Sequence, residues 1–378
     1  MIWIWGDFLT GRRLGEIANP GGGSSWTEEL HASSATLVLD PAERVHRLIG
    51  DQIRRRPGYR HYLGILDDDG RAQVAVSGLS MEASPGEWRI QGSGFEAYAS
   101  VRQLMDETDT NNPVGRTHEW VGTWRQIVGR ALTLVSSTPW GMPPVSVTVG
   151  ELAGGGSHTI TVEVQDLRTL GDLLNDINRR ADGVECRFQA WWEGGWPDGH
   201  MRWELGVGQQ DRPLIAGPER IVFDTSAPAP AFTVNRSRIV GDLATNSWVS
   251  GGRTDGQMII RSWANRDLVW QQGYPQIDIT DLSSNSADRV ELDGRAHQMA
   301  RNAKAVTIEV GLTVHMEAPQ NPMYFHAGDW AELRADTEHD MLPAGRHATR
   351  IMRREWDASQ PDVVTVTVRS AIADDRWV

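Results

Sequence analysis

Several things are scarce in this chain of 378 residues. Cys186 is its only cysteine, which excludes an intramolecular disulfide framework and any cysteine-based zinc cluster. No stretch approaches eighteen consecutive apolar residues, so no transmembrane helix is expected. The first residues, MIWIWGDFLTGRR, lack a basic region followed by a long apolar run and do not read as a secretory signal. A product folded as a soluble cytoplasmic protein is therefore expected. Positive charge is in deficit: 37 Lys+Arg against 50 Asp+Glu leaves a formal net charge of −13. That balance argues against a phosphate-binding surface and against a polybasic membrane anchor. Lys304 is the only lysine. The arginine bias reflects either a coding preference or a use of planar, bidentate pairing at interfaces.

The usual catalytic signatures are missing too. There is no phosphate-binding Gly-x-x-x-x-Gly-Lys-Ser/Thr loop, no Gly-x-Ser-x-Gly nucleophile elbow and no His-Glu-x-x-His zinc helix. Gly206-Val207-Gly208 lacks the third glycine of a dinucleotide loop and reads as a strand end. Cys186 has no histidine signature beside it and reads as a packed thiol. His315 with Glu317, His326 with Asp329 and His339 with Asp340 are the pairs that could contribute metal ligands, and a hydrogen-bonded or exposed histidine is the simpler reading of each.

What is present is alternation. Residues 2–17 read as a hairpin around Thr10-Gly11, and 62–79 as another around Asp67-Asp68-Asp69-Gly70. Asp40-Pro41-Ala42-Glu43 opens a helix whose Val45, Leu48, Ile49 and Ile53 share a face. Trp120, Trp124, Ile127, Val128 and Ala131 mark an amphipathic helix that ends at Pro139, and Gly150–Ser157 reads as a glycine-rich loop. Thr169 with Asp172 caps a further helix, with Leu170, Leu173, Leu174 and Ile177 on its buried face. Residues 287–303 read as a helix with a thin face of Val290, Leu292 and Met299. TIEVGLTVHM, GDWAEL, HATRIMRREW and VVTVTV are strands of a barrel or sandwich. The fold class is α+β, mainly antiparallel β. Residues 1–116 form a β-rich, barrel-like N-terminal domain, 117–219 an α+β middle domain, and 220–378 a β-barrel-like C-terminal domain with one helix.

Tryptophan, at 17, outnumbers Tyr and Phe together. The densest tract is WWEGGWPDG, where Trp191, Trp192 and Trp196 stand beside Glu193 and Asp198. Aromatic platforms with two carboxylates suit a sugar cleft, either a glycoside hydrolase or a binding module that attaches to a cell wall. A hairpin tip with solvated charges is the plainer reading of the same residues.

The order of elements resembles a known family. The hairpin Asp7-Phe8-Leu9-Thr10-Gly11, followed by Trp26-Thr27-Glu28-Glu29-Leu30, resembles the start of minor tail proteins from phages of actinobacteria. Trp88–Arg102 resembles their strand-then-helix element, and Gly328-Asp329-Trp330 with Arg350-Ile351 resembles the strand pair that closes their last β-domain. That group is similar to the tail hub, or baseplate hub, proteins of long-tailed phages. The resemblance implies two tail-tube-like β-barrel domains with smaller α+β parts between them, and a homotrimer at the tail tip of the virion. It implies as partners the distal tail protein ring, the tape-measure protein and other minor tail proteins. DNA would pass through without specific binding. No cofactor, no metal and no enzymatic activity are implied, and no appended enzyme is expected after Val378.

Overall fold

The computed structural model describes residues 1–106, 109, 114–137, 142–147, 158–180, 182–209, 212–215, 217, 221–225, 232–240, 243–254, 257–282, 289–304, 307–318, 321–335 and 344–370. The sequence alternation is realised at once: β1 (Ile2–Asp7) pairs with β2 (Arg13–Ile17), and Gly11 takes φ +70° in the turn. A left-handed φ favours glycine because other residues clash there. Next come β3 (Ser25–Glu29) and β4 (Ala32–Leu39), then α1 (Arg44–Arg55), β5 (His61–Leu66), β6 (Ala72–Ser84), β7 (Glu87–Ser93) and the short α2 (Phe95–Ala99).

Helix α1 corrects two expectations. It starts at Arg44, after Asp40 has spent its carboxylate on the backbone N–H of Ala42, and Glu43 gives no side-chain cap. Its buried face is His46, Ile49, Gly50 and Ile53, while Val45 and Leu48 are 52% and 57% exposed. Two side-chain facts set that rotation. The His46 ring bonds the carbonyl of Ala18 and the N–H of Asp40. Gly50 admits the Trp88 ring so closely that a Cβ would lie 2.2 Å from it.

The middle elements are β8 (Thr117–Gly122), α3 (Trp124–Ser136), β9 (Val145–Val147), β10 (His158–Glu163), α4 (Leu170–Arg179), β11 (Cys186–Glu193) and β12 (His200–Val207). Trp120 belongs to β8, opposite Ile160, rather than to the helix. A capping box between Thr123 and Gln126 starts α3 one residue before Trp124. Thr169 and Asp172 form the same device at α4, as their spacing foretold. Trp120, Trp124, Ile127, Leu173 and Leu205 close a core of their own. The expected features at Pro139 and Gly150–Ser157 lie outside the described residues.

The last part comprises β13 (Ile221–Asp224), β14 (Phe232–Val240), β15 (Asn246–Thr254), β16 (Gln257–Ala264), α5 (Arg266–Trp270), β17 (Asp278–Asp281), α6 (Arg289–Asn302), β18 (Thr307–His315), β19 (Trp330–Ala335), β20 (Gly345–Asp357) and β21 (Val363–Ser370). The apolar face of α6 differs from the expected one: Val290 is 79% exposed, and Leu292, Ala296 and Ala300 are buried beside the buried polar Arg295 and Gln298. β15, β16 and β17 form a separate three-stranded sheet that packs on α6 through Val249 and Leu292.

The fold is mainly antiparallel β. A single path of hydrogen-bonded strands runs β14-β18-β21-β20-β3-β4-β7-β6-β5-β1-β2, with β19 on β20 and β13 on β19. The two β-rich ends of the chain are thus joined edge to edge. At the seam, Trp356 stands opposite Trp26 and Arg354 opposite Glu28. One hydrophobic core crosses the seam, from Trp3, Leu37 and Ile90 to Phe223, Leu312 and Val366. On the other face of β1, β5 and β6, the hairpin β11–β12 brings Met201 and Trp203 against Ile4, Phe8 and Tyr62.

Candidate functional site

The Trp-rich hairpin tip forms as expected, but its residues separate. Alternation along β11 places Trp192 opposite Met201 and Trp191 opposite Arg202. Trp192 turns inward and meets Trp196, ring centres 5.8 Å apart and tilted by 56°. Arg13 lies over the Trp196 ring at 4.9 Å. Trp191 is 38% exposed. Glu193 pairs with Arg202 at 2.7 Å and with His200 at 2.9 Å. The Arg202 hydrogen bond and charge, with His200, hold its carboxyl below the usual range. A general acid in glycoside hydrolysis needs the opposite shift. Asp198 sits in the turn, where its N–H donates to the carbonyl of Gly195.

The histidine pairs also resolve. β18 ends at His315, so Glu317 lies beyond the strand rather than on its face, and both are exposed. His339 and Asp340 lie outside the described residues. His326 and Asp329 do meet: the N–H of His326 donates to Asp329 Oδ2 at 2.8 Å. Their further partners are Glu28 and Arg354 for His326 and Arg187 for Asp329, and the two arginine charges oppose a metal ion. Among the described residues no three His, Cys, Asp or Glu side chains form a metal-binding group. Cys186 is buried, and burial pushes its thiol up. Among the described residues, no helix is long and apolar enough to cross a membrane.

His326 and Asp329 are the visible corner of a larger buried assembly. Strand β3 turns Trp26 and Glu28 inward, and β20 answers with Arg354, fully buried. Arg354 Nε donates to Glu28 Oε2 at 2.6 Å, and Nη1 donates to the Pro322 carbonyl at 2.7 Å and to Gln73 Oε1 at 3.2 Å. The guanidinium also lies 5.3 Å from the Trp26 ring. Glu28 accepts from the Ala327 N–H at 3.1 Å and bonds His326 Nδ1 at 3.0 Å. Burial pushes the Glu28 carboxyl up, but Arg354 and His326 outweigh it and bring it to about 2.

Two more pairs complete the junction. Arg350 Nη2 reaches both oxygens of Glu185 at 2.5 Å, and its Nε donates to the Gly328 carbonyl at 2.8 Å. Arg187 donates to Asp329 Oδ1 at 3.2 Å and to the carbonyl of Ala327. Glu185 and Arg187 come from the middle of the chain, Glu28 and Gln73 from its start, and Asp329, Arg350 and Arg354 from its end. Gly328 takes φ +98° in the loop that carries His326 and Asp329, and a Cβ there would strike Arg187. His31 stands beside the second pair, its imidazole pushed down chiefly by burial. Breaking a buried pair by removing one partner costs about 3–5 kcal/mol, because the other charge stays in the interior. The junction therefore fixes the mutual orientation of three chain segments.

This arrangement holds its segments through paired charges. Each carboxylate of the three pairs is committed to an arginine. A cleft of about 230 Å³, lined in part by Glu28, Arg187, Phe188 and His326, is open to solvent. Sequence reading missed Glu28, Glu185, Arg187, Arg350 and Arg354 as functional residues. The signal was there in one form: charges at inward positions of strong strands.

No protein-family model matches the chain, and no curated protein matches it. Solved structures do. The 43 kDa tail protein of prophage MuSo2 from Shewanella oneidensis superposes with a TM-score of 0.54 at 10% identity, covering 97% of this chain and 97% of that one. The tail protein from Neisseria meningitidis gives 0.52 at 12% identity, covering 98% and 96%. The prophage tail protein gp18 from Listeria monocytogenes gives 0.50 at 10%, covering 98% and 94%. Over nearly its whole length, the chain has the fold of these tail proteins.

Proposed function

We propose that the protein is a structural component of a phage tail and not an enzyme. In this reading it assembles as a homotrimeric hub at the tail tip. It closes the distal end of the tail tube, links the distal tail protein ring to host-recognition proteins, and lets DNA exit during infection. The tape-measure protein and other minor tail proteins are its further neighbours. Residues 1–116 and 220–378 would supply the ring-building parts, and 117–219 the smaller part between them.

The observation that carries this reading is the two-way coverage of the fold match: 97% of this chain lies on 97% of the Shewanella tail protein. The similarity therefore runs the length of both chains rather than over one segment. The junction agrees with it, since a tube end under load needs its segments locked in one orientation. The net charge of −13 suits a passage that repels phosphates. The test is the mass of the purified chain by light scattering, with negative-stain images. A three-fold ring is expected. A monomer at every concentration, or turnover of a glycan substrate, overturns the proposal.

A further inference from the structure

Among the described residues, half of the exposed large apolar side chains lie between Trp248 and Val290. The sheet β16-β15-β17 covers α6 with one face only. On the other face Trp248, Met258 and Ile260 are 37%, 54% and 54% exposed, and beside the sheet Trp270 and Leu282 are 74% and 76% exposed. Scattered apolar exposure needs no explanation, whereas a concentration of this kind marks an interface. Asp267 and Asp278 are exposed in the same region, with no cationic partner among the described residues. Arg266 lies over the Trp270 ring at 5.6 Å.

A closed ring of three copies has heterologous contacts, so each chain carries both a face and its complement. The complement is visible on α1. On a chain of net charge −13, its outward side presents Arg44, Arg47, Arg54 and Arg55 around the exposed Val45 and Leu48. Arg54 is paired with Asp51, whereas Arg44 and Arg55 have no acidic partner among the described residues. Arginine stacks on tryptophan faces and pairs with carboxylates, and the two aliphatic side chains call for an apolar surface. Bare phosphate recognition gives no role to Val45 and Leu48.

We infer that the free face of the β15–β17 sheet docks onto the outward face of α1 in a second copy of this chain. This rests on the trimeric reading above and names the surfaces that would build it. Sedimentation velocity on the full chain tests it, with unchanged circular dichroism as the check on folding. Arg44→Glu/Arg55→Glu and, separately, Met258→Asp/Ile260→Asp are expected to weaken self-association about a hundredfold, as loss of central interface contacts does. Adding Asp267→Arg/Asp278→Arg to the α1 variant is expected to restore at least tenfold of that loss. Trimers that survive both variants overturn the inference and leave the hub reading standing; these faces then belong to other partners. Loss without restoration by the charge swap also overturns the pairing. A wild-type monomer overturns the hub reading itself.

Discussion

Replacing Arg354 by methionine keeps most of the side-chain volume and removes the cation. Glu28 then stays buried with an uncompensated charge, facing only the Ala327 N–H and His326. Two routes give the cost. Loss of one partner of a buried pair is worth about 3–5 kcal/mol. Independently, the carboxyl of Glu28 falls from 4.5 to about 2 on folding, and at 1.36 kcal/mol per unit that is about 3 kcal/mol. The sign follows from the depressed value. The stabilisation is present in full above 4.5 and is lost as the pH falls from there towards 2. Urea unfolding followed by tryptophan fluorescence, at pH 7 and pH 4, measures both. Arg354→Met is expected to lower stability by about 4 kcal/mol at pH 7. With an unfolding entropy near 2.1 cal/mol/K per residue, that is a fall of about 5 °C in Tm. The double variant Arg354→Met/Glu28→Leu should recover about half, since the partners of Glu28 and the carbonyl of Pro322 remain unsatisfied. A loss under about 1 kcal/mol for the single variant, or no recovery in the double one, refutes the idea that this pair locks the seam.

Three further outcomes follow from the same structure. Burial lifts the carboxyl of Glu96 to about 7, and its Oε2 has no hydrogen-bond partner. A raised acid favours the folded state below its ordinary value of 4.5 and costs stability as the pH rises from there to about 7. Glu96→Gln should therefore raise stability at pH 8 and flatten its pH dependence across that window; an unchanged pH profile would contradict it. Trp203→Ala empties the aromatic cluster of Phe8, Tyr62 and Phe95 and should cost about 3–5 kcal/mol in urea unfolding. The Cys186 thiol is buried and held protonated, so iodoacetamide should label it at least a hundredfold more slowly in the native protein than in urea, as read by mass spectrometry.

The antiparallel architecture was legible because its strands alternate over long runs. β18 and β21 bury every second residue for much of their length, and the turns at Gly11 and Gly70 sit where glycine at positive φ is needed. Capping chemistry was equally local, which is why α4 begins where Thr169 and Asp172 place it. What escaped the sequence was the partner of each inward charge. Glu28 and Arg354 are 326 positions apart, and Glu185 and Arg350 are 165 apart, so no spacing rule connects them. Yet each alone was informative. An arginine or glutamate at an inward strand position is tolerated only if something of opposite charge is buried with it. Arg354, two positions before the buried Trp356 and past the bulge after Ile351, therefore demands a buried acid, and Glu28 meets that demand. Helix α1 fails in the complementary way. Val45 and Leu48 looked like core because they are aliphatic, and nothing in the pattern pointed to His46 or Gly50. The ring hydrogen bonds of His46 and the Trp88 ring over Gly50 invert that order. Two aliphatic residues turned outward among arginines are costly to leave in water. In the contact proposed above, that outward face of the helix is the surface a second copy covers.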